Sequence, residues 1–290
     1  MEVIAAILAA AVAATAAAEP RHLRVCADPN NLPFSNEAGE GFENALAELV
    51  AKDLNATIEY VWKPQRRGFV RTTLGAGLCD VMIGAPVQYD RILATAPYYR
   101  STYVIVTRAD REHKPKDLDD PLLKDLRIGV QIVGDDYNNT PPAEALARRG
   151  LAKNVVGFSV YGDYAQPNPP ARIIDAVEDG EIDVAIAWGP LAGYFASKAK
   201  LPLSITLLEA DSPAWPFAYD IAMGVKKGND ALRAELDAIL VNRQADVDAI
   251  LDRYGVVRAS PAPRPRRRGN RRTSRSPRCL RTSRRARPSP

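Results

Sequence analysis

Between residues 22 and 188 the chain alternates short apolar runs with segments whose apolar residues recur every three or four positions. The order is β-α-β-α-β, twice over. That alternation restricts the fold more than any other feature, because strand–helix–strand units close parallel sheets whose faces the crossover helices cover. The first set places strands at 22–27, 57–62 and 80–84. Its long helix covers 42–54, where Phe42, Ala45, Leu46, Leu49, Val50 and Leu54 share one face, and a short helix follows at 67–74. Val81, Met82 and Ile83 form an unbroken apolar run, as in a strand covered on both sides. The second set places strands at 126–130, 155–158 and 182–188, with helices at 142–149 and 171–178. Two more β-rich runs, 102–107 and 219–225, stand outside these sets, and helices at 230–241 and 247–254 follow the second run. A return of 219–225 to the first sheet makes the chain cross twice, giving one lobe of 19–108 plus 219–258 and another of 109–218. The predicted fold class is α/β, a two-lobed clamshell with a parallel-type, helix-flanked sheet in each lobe and two connections that flex.

The two ends of the chain differ from the part between them. Residues 3–14 are apolar and uncharged, and Ala16, Ala17 and Ala18 precede Glu19. This predicts a secretory signal cleaved after Ala18 and an exported, periplasmic product, although no basic residue precedes the apolar run; a short buried helix is the other reading. No other stretch approaches the length of a membrane span. Residues 259–290 contain 12 arginines and no acid, which leaves 27 basic against 35 acidic residues in 1–258, a net charge of −8. A folded part of that sign has no electrostatic reason to bind nucleic acid. The tail, rich in arginine, proline and serine, is expected to be disordered, either as an anionic-lipid tether or as an out-of-frame gene end.

Function classes narrow further by what is absent. Two histidines, His22 and His113, and three cysteines without a C-x-x-C leave no zinc or dithiol motif, and no nucleophile-elbow, zincin or P-loop pattern occurs. Asp135, Asp136, Asn138 and Asn139 lack the spacing of a calcium loop, so neither a metal nor a cofactor is expected. Cys26 and Cys79 either pair or remain separate buried thiols. Cys26 ends one strand and Cys79 precedes another, so pairing requires a stagger between them.

Ligands of open α/β sheets sit beyond the carboxyl ends of the strands. That rule selects Asp28, Asn30, Asn31 and Phe34 after the first strand, and Pro86, Tyr89 and Arg91 after the third. From the second lobe it selects Gln131, Asp135, Tyr137 and Trp188, while the pair Arg66 and Arg67 offers itself to an anion, with at most one of the two facing the cleft because consecutive helical residues point in different directions. The alternatives are that Asp28 and its neighbours only make an Asx turn and that Trp188 is core. Glu43 sits in a helix first turn, where the dipole favours it; a dehydratase using Asp28 or Glu43 for proton transfer is the enzymatic alternative.

Six segments carry a resemblance. VCADPNNLPFSN at 25–36, GEGFENALAELVAKDL at 39–54 and VWKPQRRGFVRTTL at 61–74 are joined by CDVMIGAP at 79–86, PYYRSTYV at 97–104 and PFAYDIAMGVKKGN at 216–229. Together they resemble the periplasmic solute-binding proteins encoded beside PQQ-dependent methanol dehydrogenases, the MoxJ/XoxJ type, over roughly residues 23–257. The resemblance implies a type 2 periplasmic binding fold and an accessory role in making or activating that dehydrogenase as partner, while the missing catalytic motifs predict no catalysis of its own. An import receptor for a small polar molecule is the alternative on the same fold. Amino-acid receptors of this fold usually carry a Ser/Thr-rich turn before a carboxylate-gripping arginine, whereas this chain reads Gly84-Ala85-Pro86-Val87-Gln88-Tyr89-Asp90-Arg91, which argues against an amino-acid ligand.

Overall fold

The computed structural model describes residues 21–133, 139–160, 162–208 and 215–260. The expected signal, Asp135, Tyr137, the oxygen-rich run up to Asn138, and the tail beyond 260 with Cys279 lie outside the described residues.

Strand β1 (Arg21–Ala27) buries Leu23 and Val25 and runs on into the buried Cys26 and Ala27. Two-residue strands β2 (Asn30–Asn31) and β3 (Ser35–Asn36) make a small hairpin that delivers the chain to helix α1 (Phe42–Asp53). Helix α1 forms because Phe42, Leu46, Ala47, Val50 and Ala51 give it one apolar face, all of them buried. Its entry is tight: a Cβ on Gly41 would overlap the backbone of Phe34, so only glycine admits this approach. Asn44 then accepts from the Gly41 N–H at 3.0 Å and ties down the first turn.

Strand β4 (Ala56–Trp62) pairs in parallel with β1, and after the one-turn helix α2 (Phe69–Thr72) strand β5 (Val81–Pro86) pairs in parallel on the other side of β1. The two-residue β6 (Leu93–Ala94) leads to β7 (Tyr99–Arg108), ten residues long and the keystone of the sheet. The second set supplies β8 (Ile128–Ile132), α3 (Pro141–Arg148), β9 (Val155–Ser159), α4 (Arg172–Glu178) and β10 (Val184–Trp188), with β8 parallel to both β9 and β10. Helix α5 (Gly189–Ala196), β11 (Leu203–Leu207), β12 (Ala218–Val225), α6 (Asp230–Asn242) and α7 (Gln244–Arg253) complete the described chain.

The two parallel triplets join through antiparallel strands. The strand order is β4-β1-β5-β12-β7-β10-β8-β9, with β11 also on β7 and β6 on β12. Tyr99–Thr102 of β7 pair with Ala218–Ile221 of β12, whereas residues 103–108 pair with β10 and β11. One strand therefore belongs to both halves. A third segment also crosses: Ser101 Oγ donates to Val257 O at 2.6 Å, the Ala259 N–H donates to Arg100 O at 2.9 Å, and Gly193 of α5 lies against Gly255. The first-half core is built on Leu23, Phe42, Leu46, Val81, Met223 and Leu236, and the second half has apolar layers on both sheet faces, around Ile173 and around Ile128.

Cys26 and Cys79 are paired, with Cα atoms 5.5 Å apart, inside the ordinary range for a disulfide. The stagger that pairing requires is supplied by the turns at 73–80, because Cys79 lies outside β5 and not within it. Closing a loop of 53 residues stabilises the fold by about 4 kcal/mol in the chain-entropy account. It also anchors the carboxyl end of β1, two residues before Asp28.

Candidate functional site

The carboxyl ends of β1, β5, β8 and β10 converge on a cleft, as open α/β sheets dictate. At its mouth Asp28 is buried, and its carboxylate is fully engaged. Oδ1 accepts from the Asn30 N–H at 2.9 Å, which is an Asx turn, and Oδ2 accepts from the Gln65 N–H at 2.6 Å and from the Tyr164 hydroxyl at 2.5 Å. Tyr164 lies in the segment between β9 and α4, so that last bond spans the mouth. Asn30 Nδ2 makes a second crossing by donating to Gln166 O at 3.0 Å, and Asn31 Nδ2 donates to Gln65 Oε1 at 3.2 Å. Burial, then the bond donated to Asp28, holds the Tyr164 hydroxyl protonated well above its ordinary range. Arg66 places its guanidinium 5.3 Å from the centre of the Tyr164 ring. Phe34, Gln65, Tyr103, Gln131, Thr140 and Trp188 share this outer chamber of about 220 Å³.

Behind the mouth lies an inner cavity of about 300 Å³, at the small end of ligand pockets. Phe34, Tyr99, Tyr103, Trp188 and Tyr219 form its aromatic walls, with Pro86 and Ile221. Tyr103 meets Trp188 at 5.3 Å between ring centres and an interplanar angle of 67°, and Trp188 meets Tyr219 at 5.9 Å and 61°. These edge-to-face contacts fix the rings, since the positive edge of one faces the negative face of the next.

Glu43 is the one acidic side chain on this inner wall. It stands in the first turn of α1 yet is only 9% exposed, and no described residue donates a hydrogen bond to its carboxylate. Space for it exists because residue 84 is glycine: a Cβ there would overlap Glu43 Oε1. Burial, and secondarily the charge of Asp28, pushes the Glu43 carboxyl up to about 8 from an ordinary 4.5. The inner cavity is thus an aromatic chamber with one uncompensated acid.

The expected site residues divide accordingly. Asp28, Asn30, Asn31, Phe34, Gln131 and Trp188 line the cleft, as Pro86 does at the inner cavity. Trp188 is half-buried wall, packed on the first-half core, so both of its readings meet in one side chain. Of the arginine pair Arg66 reaches the mouth over Tyr164, whereas Arg67, Tyr89 and Arg91 lie away from it and line a separate exposed depression with Gly68 and Arg71. The turn that bonds the Tyr89 N–H to Pro86 O at 2.9 Å, with Val87 held to Asp220 O, directs the chain after β5 outward. Sequence reasoning missed Gln65, Tyr99, Tyr103, Tyr164 and Tyr219 as cleft residues. Tyr99 and Tyr103 carried a signal, because residues four apart in a strand share a face; Tyr164 sits in an irregular segment that offers none. Among the described residues no group of three metal-ligating side chains forms, and no helix is long and apolar enough to cross a membrane.

A family model for bacterial extracellular solute-binding proteins, family 3, matches residues 23–257. Protein MoxJ of Methylorubrum extorquens strain AM1 is 33% identical over 248 residues, covering 81% of this chain and 80% of MoxJ. Protein MoxJ of Paracoccus denitrificans is 31% identical over 265 residues, covering 86% and 93%. Among solved structures, the periplasmic binding protein XoxJ from Methylobacterium extorquens AM1 superposes with a TM-score of 0.68 at 38% identity, covering 82% of this chain and all of XoxJ.

Proposed function

We propose that this chain, which belongs to the bacterial extracellular solute-binding proteins, family 3, acts as a non-catalytic periplasmic clamshell that closes on a ligand and thereby serves a PQQ-dependent methanol dehydrogenase. The observation that carries the closing mechanism is the pair of hydrogen bonds across the mouth, Tyr164 to Asp28 and Asn30 to Gln166. Bonds of this kind form only when the two sides meet, so they define a closed state and a set of contacts that opening breaks.

The lobes in this reading are 19–108 plus 219–258 and 109–218. Support comes from β7, whose two ends pair with different halves, and from β12, which brings the chain back. The pivot then runs through 102–107 and 219–225, with the crossing segment after α7 as a third strap. Non-catalytic action is supported by the engagement of Asp28 in three hydrogen bonds, which leaves it occupied as a structural acceptor. Service to the dehydrogenase rests on the likeness to MoxJ and on an aromatic cleft without the arginine clamp of an amino-acid receptor, since Arg91 lies outside.

Small-angle scattering of the mature protein, alone and with the dehydrogenase, tests the reading. Compaction of the clamshell on complex formation is the expected result. No association, together with compaction by a small solute from periplasmic extract, would instead make the chain an import receptor.

A further inference from the structure

A largely buried carboxylate without a hydrogen-bond donor is costly, and it either takes up a proton or acquires a positive partner. The inner cavity offers Glu43 no partner: none of the residues that line it is basic, and Arg100, which follows Tyr99 in β7, is bound to Asp220 at 3.0 Å. Five aromatic rings surround the space that Glu43 faces, and aromatic faces attract cations, most strongly where water is excluded. Rings and acid together match one ligand chemistry. They repel carboxylates and phosphates, and they offer a metal ion one carboxylate where hard cations require six or more oxygens. We propose that the inner cavity receives an alkylammonium head, methylated or unmethylated, with Glu43 as its counter-ion and Phe34, Tyr99, Tyr103, Trp188 and Tyr219 as its walls. The assignment rests on the cleft-binding reading above and names the chemistry of what the cleft holds.

Each part of the cavity has a role in this. Gly84 leaves the carboxylate room to lie in the cavity wall, beside the apolar Ala85 and Ile221. The Tyr98 hydroxyl donates to Ile83 O at 3.0 Å and the Tyr219 hydroxyl to Pro216 O at 3.0 Å, so neither is spent on Glu43. An alkylammonium head reaches the cavity from two sources, a free small amine or the lysine side chain of a polypeptide segment laid in the outer chamber.

Calorimetric titration with choline, against its neutral isostere 3,3-dimethyl-1-butanol, tests the assignment. The expected result is a preference of about tenfold or more for choline, abolished in Glu43→Gln and reduced in Tyr103→Leu, with wild-type circular dichroism in both variants. Equal affinity for the isostere, or choline binding untouched by Glu43→Gln, would overturn it. A lysine-containing peptide that displaces choline where its norleucine counterpart does not assigns the head to a polypeptide; failure to displace assigns it to a free amine. Binding of neither choline nor lysine peptide, with scattering still showing closure on the dehydrogenase, refutes the cation and leaves the clamshell standing. Absence of closure under every condition refutes the clamshell itself.

Discussion

Replacing Glu43 by glutamine keeps the shape of the side chain and removes its ionisation, so the consequence is read in the pH dependence of stability. In the unfolded chain the carboxyl ionises near 4.5, whereas in the folded chain burial raises this to about 8. Between these values the folded state holds a proton that the unfolded state has released. Stability contributed by this group is complete below about 4.5, declines as pH rises and is exhausted above about 8. At about 1.4 kcal/mol per pH unit the whole window corresponds to roughly 4 to 5 kcal/mol, and to about 3 kcal/mol by neutral pH. Urea denaturation of both proteins across this range gives the difference directly, because every other titrating group is common to the two. The variant should gain on the wild type progressively between pH 5 and 8. Parallel pH profiles, or a variant that loses stability at high pH, would show that the Glu43 carboxylate is solvated or partnered in the folded chain.

Other perturbations have equally direct outcomes. Tyr164→Phe removes the hydroxyl that donates to Asp28 across the mouth and should shift scattering profiles of the ligand-free protein toward the open form, by an equilibrium change of about 1.5 to 3 kcal/mol, as for a bond to a charged group. The double variant Cys26→Ala, Cys79→Ala should lose about 4 kcal/mol in reversible denaturation, whereas an unchanged midpoint would place the paired cysteines in the reduced state during the assay. Truncation after Ser260 should leave the melting temperature unchanged, while truncation after Arg258 removes the Ala259 N–H bond to Arg100 O and should lower it by a few degrees, an effect of about 1 kcal/mol.

Much of the fold was legible because apolar periodicity and burial are one signal. The strands at 22–27, 57–62 and 155–158 and the helices at 42–54 and 230–241 fall within a residue or two of β1, β4, β9, α1 and α6. Helix α5 was not anticipated, since its two glycines and a proline are poor helix formers; Pro190 occupies the first turn, where its missing N–H costs nothing, and Gly193 permits the close approach of Gly255. The antiparallel insertion of β7 and β12 between the parallel triplets was equally hidden, since strand order is a property of contacts far apart in sequence. At the site, the rule of strand ends found the mouth around Asp28 but not the inner cavity. Glu43 looked like a favourable first-turn acid, and only the glycine at 84, packed against it from another strand, reveals that it faces inward. Arg91 misled for the converse reason, because a turn of four residues after β5 decides which way its side chain leaves the sheet.

Native mass spectrometry of the mature protein mixed with the dehydrogenase shows whether a clamshell closing its aromatic cleft serves that enzyme. A defined complex is the predicted result. Trp188→Ala, which opens the wall shared by both chambers, should weaken that complex by about 1 to 3 kcal/mol without unfolding the chain. No complex with the wild type, or one indifferent to Trp188→Ala, would exclude the cleft as the site of that service.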